Sequence, residues 1–465
     1  MSVGVCGVIF WARGGAPERV LLRLRVSETF GGGIMERRYW IWMLVLVGVI
    51  GGIVGCKGAE REHEGLKGSE CLVRAEYPDK RYGSDEERWE AERELRIGEA
   101  FRERVNGFGF ETAARLFSED RGNQVYSPVS LYFSLAVAAA GAQGETGQEL
   151  LGVLGYEDEG RLAEDCREAF AVFYQDQDGY KLQIASSVWV DKRFEVKGEF
   201  LDHVKEAYFG EVFRTDFSGE DAGADMASWV KEKTYGVLEP SVETKEGQVL
   251  SLLNAVYYYD EWLDQFDKDK TEKGIFTCGD GTEVECDFMN RTMGSHGFVR
   301  GENYTVSGIS GKNGRMLVLL PDRGEDLWQF LESGERLEAV LNEEEGESGF
   351  GEVVWQVPKF SYGSSYGLRD VLERMGVWAA FSPEKADFSG ISHEMCWIDS
   401  VIQEAHIGID ENGIEAASFT QMDWAGAALP SGRAEMILDR PFLYVVQEKG
   451  CPLFIGICEN PADGE

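Results

Sequence analysis

Downstream of Phe108, apolar residues recur with two distinct periods and no polar linker between them. Spacings of three and four mark helices over Glu111–Phe117, Pro128–Ala140, Gly160–Phe173, Lys197–Tyr208 and Met226–Tyr235. Apolar and aromatic runs mark strands over Leu182–Val190, Gln248–Tyr258, Arg315–Leu320, Glu352–Tyr362, Cys396–Ile409 and Pro441–Cys458. Upstream, Ser84 through Glu87 has the Ser-x-x-Glu form of a capping box and opens a charged helix near Asp85–Arg104. Helices dominate first and strands afterwards, over about 360 residues without a break. The pattern predicts one large α+β domain spanning 94–465.

Ahead of that body the pattern changes. Met35-Glu36-Arg37-Arg38 leads into an almost uninterrupted apolar run from Tyr39 to Ile50, followed by Gly51-Gly52 and Ile53-Val54-Gly55-Cys56. A basic flank, an apolar stretch and small residues before a cut site are the parts of a secretory signal. The tetrad Ile53–Cys56 resembles a bacterial lipobox, in which Cys56 would be lipidated. The alternative is a single membrane-spanning helix from Tyr39 to Gly55, at the low edge of span length. Under either reading the body is expected outside the cytoplasm, in the cell envelope or beyond it. Residues 1–34 read as an upstream extension, 35–55 as the leader or anchor, and 56–93 as a tether plus the start of the charged helix.

Charge narrows the choice of partners. Of 46 basic and 83 acidic side chains, six Arg and three Glu fall in the first 55 residues, which leaves the remainder at a net of −40. A body this acidic repels phosphate backbones, so nucleic-acid binding is excluded as a working class. The five histidines show no HExxH spacing and the nine cysteines no CxxC, so neither a zinc-protease motif nor a zinc ribbon is present. Nothing in the sequence calls for a metal or a small-molecule cofactor. Cys278 and Cys286 flank the turn signal Gly279-Asp280-Gly281-Thr282 and read either as a disulfide across a hairpin or as buried thiols.

The most informative segment lies near the C-terminus. Residues 411–429 connect two strands, and nineteen residues is long for a connection inside a compact domain unless it is functional or disordered. Ile414, Ala416, Ser418, Thr420 and Met422 alternate with Glu415, Ala417, Phe419, Gln421 and Asp423, so one side is apolar or small, as a strand facing a core requires. No proline precedes Pro430, and Gly413 supplies a joint at the start. The segment can exist as an exposed loop or as an added strand.

Several blocks in a fixed order now resemble one family, the serpins. They are Asn123–Ser130 with Gly141–Thr146, Ser228-Trp229-Val230 with Lys233-Thr234 and Gly236, and Leu253-Asn254-Ala255 through Trp262. Pro358-Lys359-Phe360, Ala386–Ile391 and Leu438-Asp439-Arg440-Pro441-Phe442 complete the series. The resemblance runs from about residue 108 to 461 and implies the serpin fold: a helix-rich N-terminal half on a large central sheet, with an exposed reactive loop.

It also implies a mechanism. A serpin offers its loop to a serine protease as if it were substrate, and the cleaved loop inserts into the sheet while still joined to the protease as an acyl-enzyme. No catalytic residue is needed in such a chain, and a monomer is expected. Carried over position by position, Glu411, Gly413, Ile414, Glu415, Ala416, Ala417 and Ser418 match the hinge. Ser127, Ser130 and Asn254 match the shutter, with Gln403 where the family usually has histidine, and Trp262 matches the breach. Spacing from the hinge places the scissile bond at Ala427–Ala428, with Ala428 or Leu429 as slips in register. Small apolar residues there imply elastase-like or subtilisin-like targets. Departures from the family pattern are Ile414 at the first inserted position, Phe419, the bulky Trp424, which continues the inward register, and the poorly matched Gly308–Lys312. The other reading is a non-inhibitory serpin whose loop is displayed or cut without trapping.

Overall fold

The computed structural model describes residues 29–30, 33–34, 66–78, 96–177, 180–342, 345–415 and 432–463. Two units separate, Met1–Glu62 and His63–Glu465. The first contributes one described feature, an antiparallel pair of Thr29–Phe30 with Gly33–Ile34. The leader, Cys56, Ala416, Ala417, Ser418, Trp424, Ala427, Ala428 and Leu429 lie outside the described residues. Among the described residues no helix is long and apolar enough to cross a membrane.

The second unit opens with strand β1 (Glu70–Val73), then helix α1 (Glu99–Phe117), β2 (Gln124–Tyr126), α2 (Pro128–Gly141), α3 (Gly144–Val153) and α4 (Glu159–Phe173). There follow β3 (Gln175–Gln177), β4 (Tyr180–Asp191), α5 (Gly198–Tyr208), β5 (Glu211–Thr215), α6 (Ala222–Lys233) and β6 (Leu250–Glu261). Next come β7 (Glu272–Thr277), β8 (Glu283–Arg300), β9 (Tyr304–Ser310), β10 (Arg315–Pro321) and α7 (Gly334–Leu341). β11 (Glu347–Pro358), β12 (Phe360–Gly367), α8 (Arg369–Arg374), β13 (Ser400–Ile409) and β14 (Gly413–Glu415) lead to the C-terminal β15 (Gly432–Ile437), β16 (Phe442–Glu448) and β17 (Cys451–Cys458).

Two sheets carry the architecture. The eight-stranded sheet runs β12-β13-β14-β6-β4-β5-β1, with β3 folded onto β4; the nine-stranded sheet runs β15-β11-β8-β9-β10-β16-β17-β2, with β7 on β8. This is the α+β class that the order of periods predicts. Helix α2 lies at the centre because its apolar residues surround it: Leu131, Tyr132, Phe133, Leu135 and Val137 are all buried. Pro128 starts it at a position where a missing N–H costs nothing, and the Ser127 hydroxyl caps it by accepting from the Ser130 amide.

The structure corrects several boundaries. Arg96–Gly98 are not helical, so no single helix covers Asp85–Arg104; the described helix starts after Gly98 and extends to Phe117. Helices α3, α7 and α8, of ten, eight and six residues, are too short for a helical period to stand out. The run Glu352–Tyr362 is two strands in different sheets, β11 and β12, because a period of two cannot register that the chain changes sheet at Lys359. Pro441–Cys458 is likewise a hairpin. Its turn, Lys449-Gly450, has both φ angles positive, at 49° and 80°, as a two-residue hairpin requires. Cys278 and Cys286 do not face each other: Cys286 stands opposite Gly274, and the Cys278 amide donates to Thr282 O, so the hairpin offset leaves no disulfide between them.

The largest revision concerns the tether. Residues 66–78 pack onto the edge of the eight-stranded sheet, with β1 antiparallel to β5. The Asp225 carboxylate, buried at the start of α6, accepts from the amides of Lys67 (2.7 Å) and Gly68 (2.9 Å), and Ser69 Oγ donates to Thr215 Oγ1 (2.8 Å). Tyr77 stacks on Tyr174 with ring centroids 4.9 Å apart, and Glu76 pairs with Lys205 at 2.6 Å.

Candidate functional site

The eight-stranded sheet is closed along part of its midline and open above. β13 and β6 pair in parallel, Ser400 opposite Ser251 through Glu404 opposite Ala255. Higher up they diverge, and β14 occupies the gap between them. It pairs antiparallel with both: Ile409 with Ile414 and Gly408 with Glu415 on one side, Asp260 with Ile414 and Glu261 with Gly413 on the other. Ile414 is fully buried, on the inward side that the alternation assigns to it. Gly413 is required by space. A Cβ there would lie 2.1 Å from the Asp260 carbonyl oxygen, so close approach to β6, and not a left-handed φ, explains the residue.

The turn that feeds β14 is held from the top of β6. Trp262 N–H donates to Asn412 O (2.9 Å), its indole Nε1–H to Asp410 O (2.8 Å), and Phe266 N–H to Glu411 O (3.0 Å). Burial pushes the Glu411 carboxyl up in pKa, but its own amide, the Thr271 hydroxyl (2.8 Å) and Lys359 Nζ (3.0 Å) outweigh that and hold it below the usual range.

Lower down, where β13 meets β6, four of the residues picked out by resemblance come together in one buried cluster against the N-terminus of α2. Gln403 Oε1 accepts from Ser127 N–H (2.8 Å), while its Nε2 donates to Ser127 O (2.9 Å) and to Asn254 Oδ1 (3.0 Å). Ser130 Oγ donates to the same Asn254 oxygen (3.1 Å), and Asn254 Nδ2 reaches Ile402 O (3.4 Å). An amide side chain suits this place because it supplies donors and an acceptor together. Any strand entering between β6 and β13 must break the Asn254–Gln403 and Asn254–Ile402 bonds.

Helix α6 covers the face of the sheet along this path. Met226, Trp229 and Val230 pack on Ala185 of β4 and on Leu253 and Ala255 of β6. Beneath it Glu211 is buried, accepting from Trp229 Nε1–H (2.6 Å) and pairing with the buried Lys233 (3.0 Å). Nothing in the local sequence signals this pair, whose members lie 22 residues apart.

Although no nucleophile elbow is expected of such a chain, Gly363-Ser364-Ser365-Tyr366-Gly367 does have its Gly-x-Ser-x-Gly spacing. It lies extended within β12, and Ser365 Oγ donates to Glu404 Oε1 (2.6 Å), so the strand-turn-helix context of an elbow is missing. Among the described residues no group of three or more His, Cys, Asp or Glu is placed to hold a metal ion.

Comparison with known proteins agrees with this geometry. The serpin (serine protease inhibitor) family model matches residues 103–461. An uncharacterised serpin-like protein of Thermococcus kodakarensis is 30% identical over 374 residues, covering 77% of this chain and 85% of its own. An alpha-1-antitrypsin-like protein of Tamias sibiricus is 29% identical, with 73% and 83% covered. Among solved structures, the thermophilic serpin tengpin in its native state superposes with a TM-score of 0.71 at 25% identity, covering 85% of this chain and all of that one. Human thyroxine-binding globulin complexed with thyroxine gives 0.69 at 26%, covering 78% and 99%. With a family model spanning most of its length, a strand poised between β6 and β13 and the polar cluster beneath it, the chain belongs to the serpin family.

Proposed function

We propose that this serpin is an exported, lipid-anchored inhibitor of elastase-like or subtilisin-like serine proteases that acts as a suicide substrate. One observation carries the reading: β14, the start of the loop, is already paired on both sides at the upper end of the sheet, while β6 and β13 touch directly only lower down. A strand begun in this way has its continuation path defined. The protease serine would attack the Ala427 carbonyl, forming an acyl ester as the Ala428 amine leaves with a proton. Insertion of the freed loop beyond Ile414 would then draw the acylated protease along before water hydrolyses the ester. Small Ala416 and Ala417 favour that start, since a charge entering the sheet there would be buried without a partner.

A second reading, a serpin that displays its loop without trapping, is favoured by the likeness to thyroxine-binding globulin, whose solved structure holds thyroxine. The bulk of Trp424 in the inward register points the same way. Mixing the protein begun after Cys56 with pancreatic elastase, and separately with subtilisin, decides between them. A band at the summed mass that survives boiling in detergent supports trapping, and the released fragment fixes the scissile residue. Cleavage near Ala427 with no such band, for both proteases, supports the second reading. Ala416→Arg should abolish the stable band while leaving cleavage intact; unchanged inhibition would count against insertion as the mechanism.

A further inference from the structure

The top of β6 is gripped from two sides. On one side stands the hinge, with Ile414 opposite Asp260 and Gly413 opposite Glu261. On the other stands the turn joining β9 to β10. Gly311 bridges to Trp262, Leu263 N–H donates to Ser310 O (3.0 Å), Lys312 N–H donates to Glu261 O (2.9 Å), and the Lys312 ammonium pairs with the Glu261 carboxylate. Asp260 joins the two sides. Its carboxylate is fully buried, with Oδ2 accepting from Asn313 N–H (2.9 Å) and Oδ1 from Asn313 Nδ2 (3.0 Å). The turn is shaped around it: a Cβ on Gly311 would sit 2.3 Å from Asp260 Oδ2.

We propose that Asp260 is an ionisable latch at the upper end of the sheet: its neutral acid keeps β6 docked on the β9–β10 turn, and its ionised form favours opening and so speeds loop insertion. The inference rests on the insertion reading above. Its physical basis is a carboxylate with two neutral hydrogen-bond donors and, among the described residues, no cation at ion-pair distance. The groups facing it are few. The turn brings Lys312, whose ammonium is engaged by Glu261 and draws the Asp260 pKa down only in part. β6 itself brings Tyr258; β4 brings Tyr180 opposite, whose hydroxyl donates to the Glu448 carboxylate (2.7 Å) on β16. The hinge residues Asn412, Gly413 and Ile414 bring no titratable side chain. Burial is the largest effect and pushes the carboxyl up to about 7, against the opposing pull of Asn313 and Lys312.

Opening the contact admits water, and a hydrated aspartic acid titrates near 3.9. A group whose pKa falls on opening favours the open state increasingly as pH rises between the two values. With full hydration, opening should gain about tenfold between pH 6 and pH 8, and less with partial hydration.

The test follows the uncut protein, begun after Cys56, at fixed elevated temperature and at pH 6, 7 and 8, scoring conversion to a heat-stable monomer. The rate should rise up to about tenfold across that range, and Asp260→Asn should flatten the rise. Asn313→Ala, which removes one donor, should move the midpoint to higher pH, a response that a merely structural role would not give. A pH rise that survives unchanged in Asp260→Asn, or an unmoved midpoint in Asn313→Ala should the first variant not fold, overturns the latch. A control of loop-cleaved protein separates the two ideas: if cleavage raises thermal stability at no pH, insertion itself has failed, whereas a stabilised cleaved form with a flat profile in the native chain condemns the latch alone.

Discussion

Replacing Gln403 with leucine tests whether the polar cluster under the hinge holds the sheet shut. The side chain is fully buried and makes three hydrogen bonds, so a leucine of similar volume leaves little cavity but strands Ser127 N–H, while Ser127 O keeps the Leu131 amide (3.3 Å). Asn254 Oδ1 retains the Ser130 hydroxyl. A stranded buried group costs about 1–3 kcal/mol, which sets the expected loss. Of the three bonds lost, Asn254–Gln403 is the one that must break whenever a strand enters between β6 and β13, so its loss falls on the uninserted state. Gln403→Leu should therefore lower the urea midpoint of the native protein and speed its conversion to a heat-stable form, by about tenfold for each 1.4 kcal/mol that reaches the barrier. Gln403→His, which keeps a donor and an acceptor, should lose less. Urea unfolding followed by fluorescence, with conversion followed by melting temperature, reads both effects. A leucine variant with an unchanged midpoint and an unchanged conversion rate would refute the reasoning.

Two further outcomes follow from buried or paired charge. Lys233→Met leaves Glu211 buried with Trp229 Nε1–H as its remaining described partner, and should cost about 3–5 kcal/mol in urea unfolding; adding Glu211→Gln should recover part of that loss. His203 and Glu159 meet at 2.7 Å, and Tyr208 Oη donates to the same carboxylate oxygen at 2.6 Å. The bond to Glu159 raises the His203 pKa against the effect of burial; for Glu159, burial pushes up but His203 and Tyr208 outweigh it and hold the pKa low. The histidine's stabilising effect is complete below its ordinary value near 6.5 and disappears as pH rises through its higher folded value, while the glutamate's is lost as pH falls through its depressed value. The melting-temperature gap between wild type and His203→Gln should thus be widest near pH 5–6 and narrow by pH 8.5; a constant gap would argue against the pair.

The parts of this fold that the sequence discloses are those governed by neighbours in the chain. α2 is legible because Ser127 and Pro128 punctuate its start and apolar residues fill it, and β14 because alternation puts Ile414 inward. Residue-by-residue resemblance brought Ser127, Ser130, Asn254 and Gln403 to attention, and only the fold shows that they meet through hydrogen bonds across 276 residues of chain. Asp260, Glu211 and Asp225 gave no signal, since an acidic residue in a chain with 83 of them reads as solvated surface until its neighbours are known. β1 was missed for a related reason: Glu70-Cys71-Leu72-Val73 is too short to show a period, and its pairing partner lies about 140 residues away.

That added strand has a consequence for encounters between molecules. A sheet that accepts a strand internally also risks accepting one at its margin, where a row of unpaired amides and carbonyls would template another copy's extended segment. β1 occupies that row on β5, and it is itself a poor template, four residues long with a register break between Cys71 and Val73. Self-association by strand addition is blunted on this flank, so the internal slot beside β14 is left to discriminate the molecule's own loop from a neighbour's.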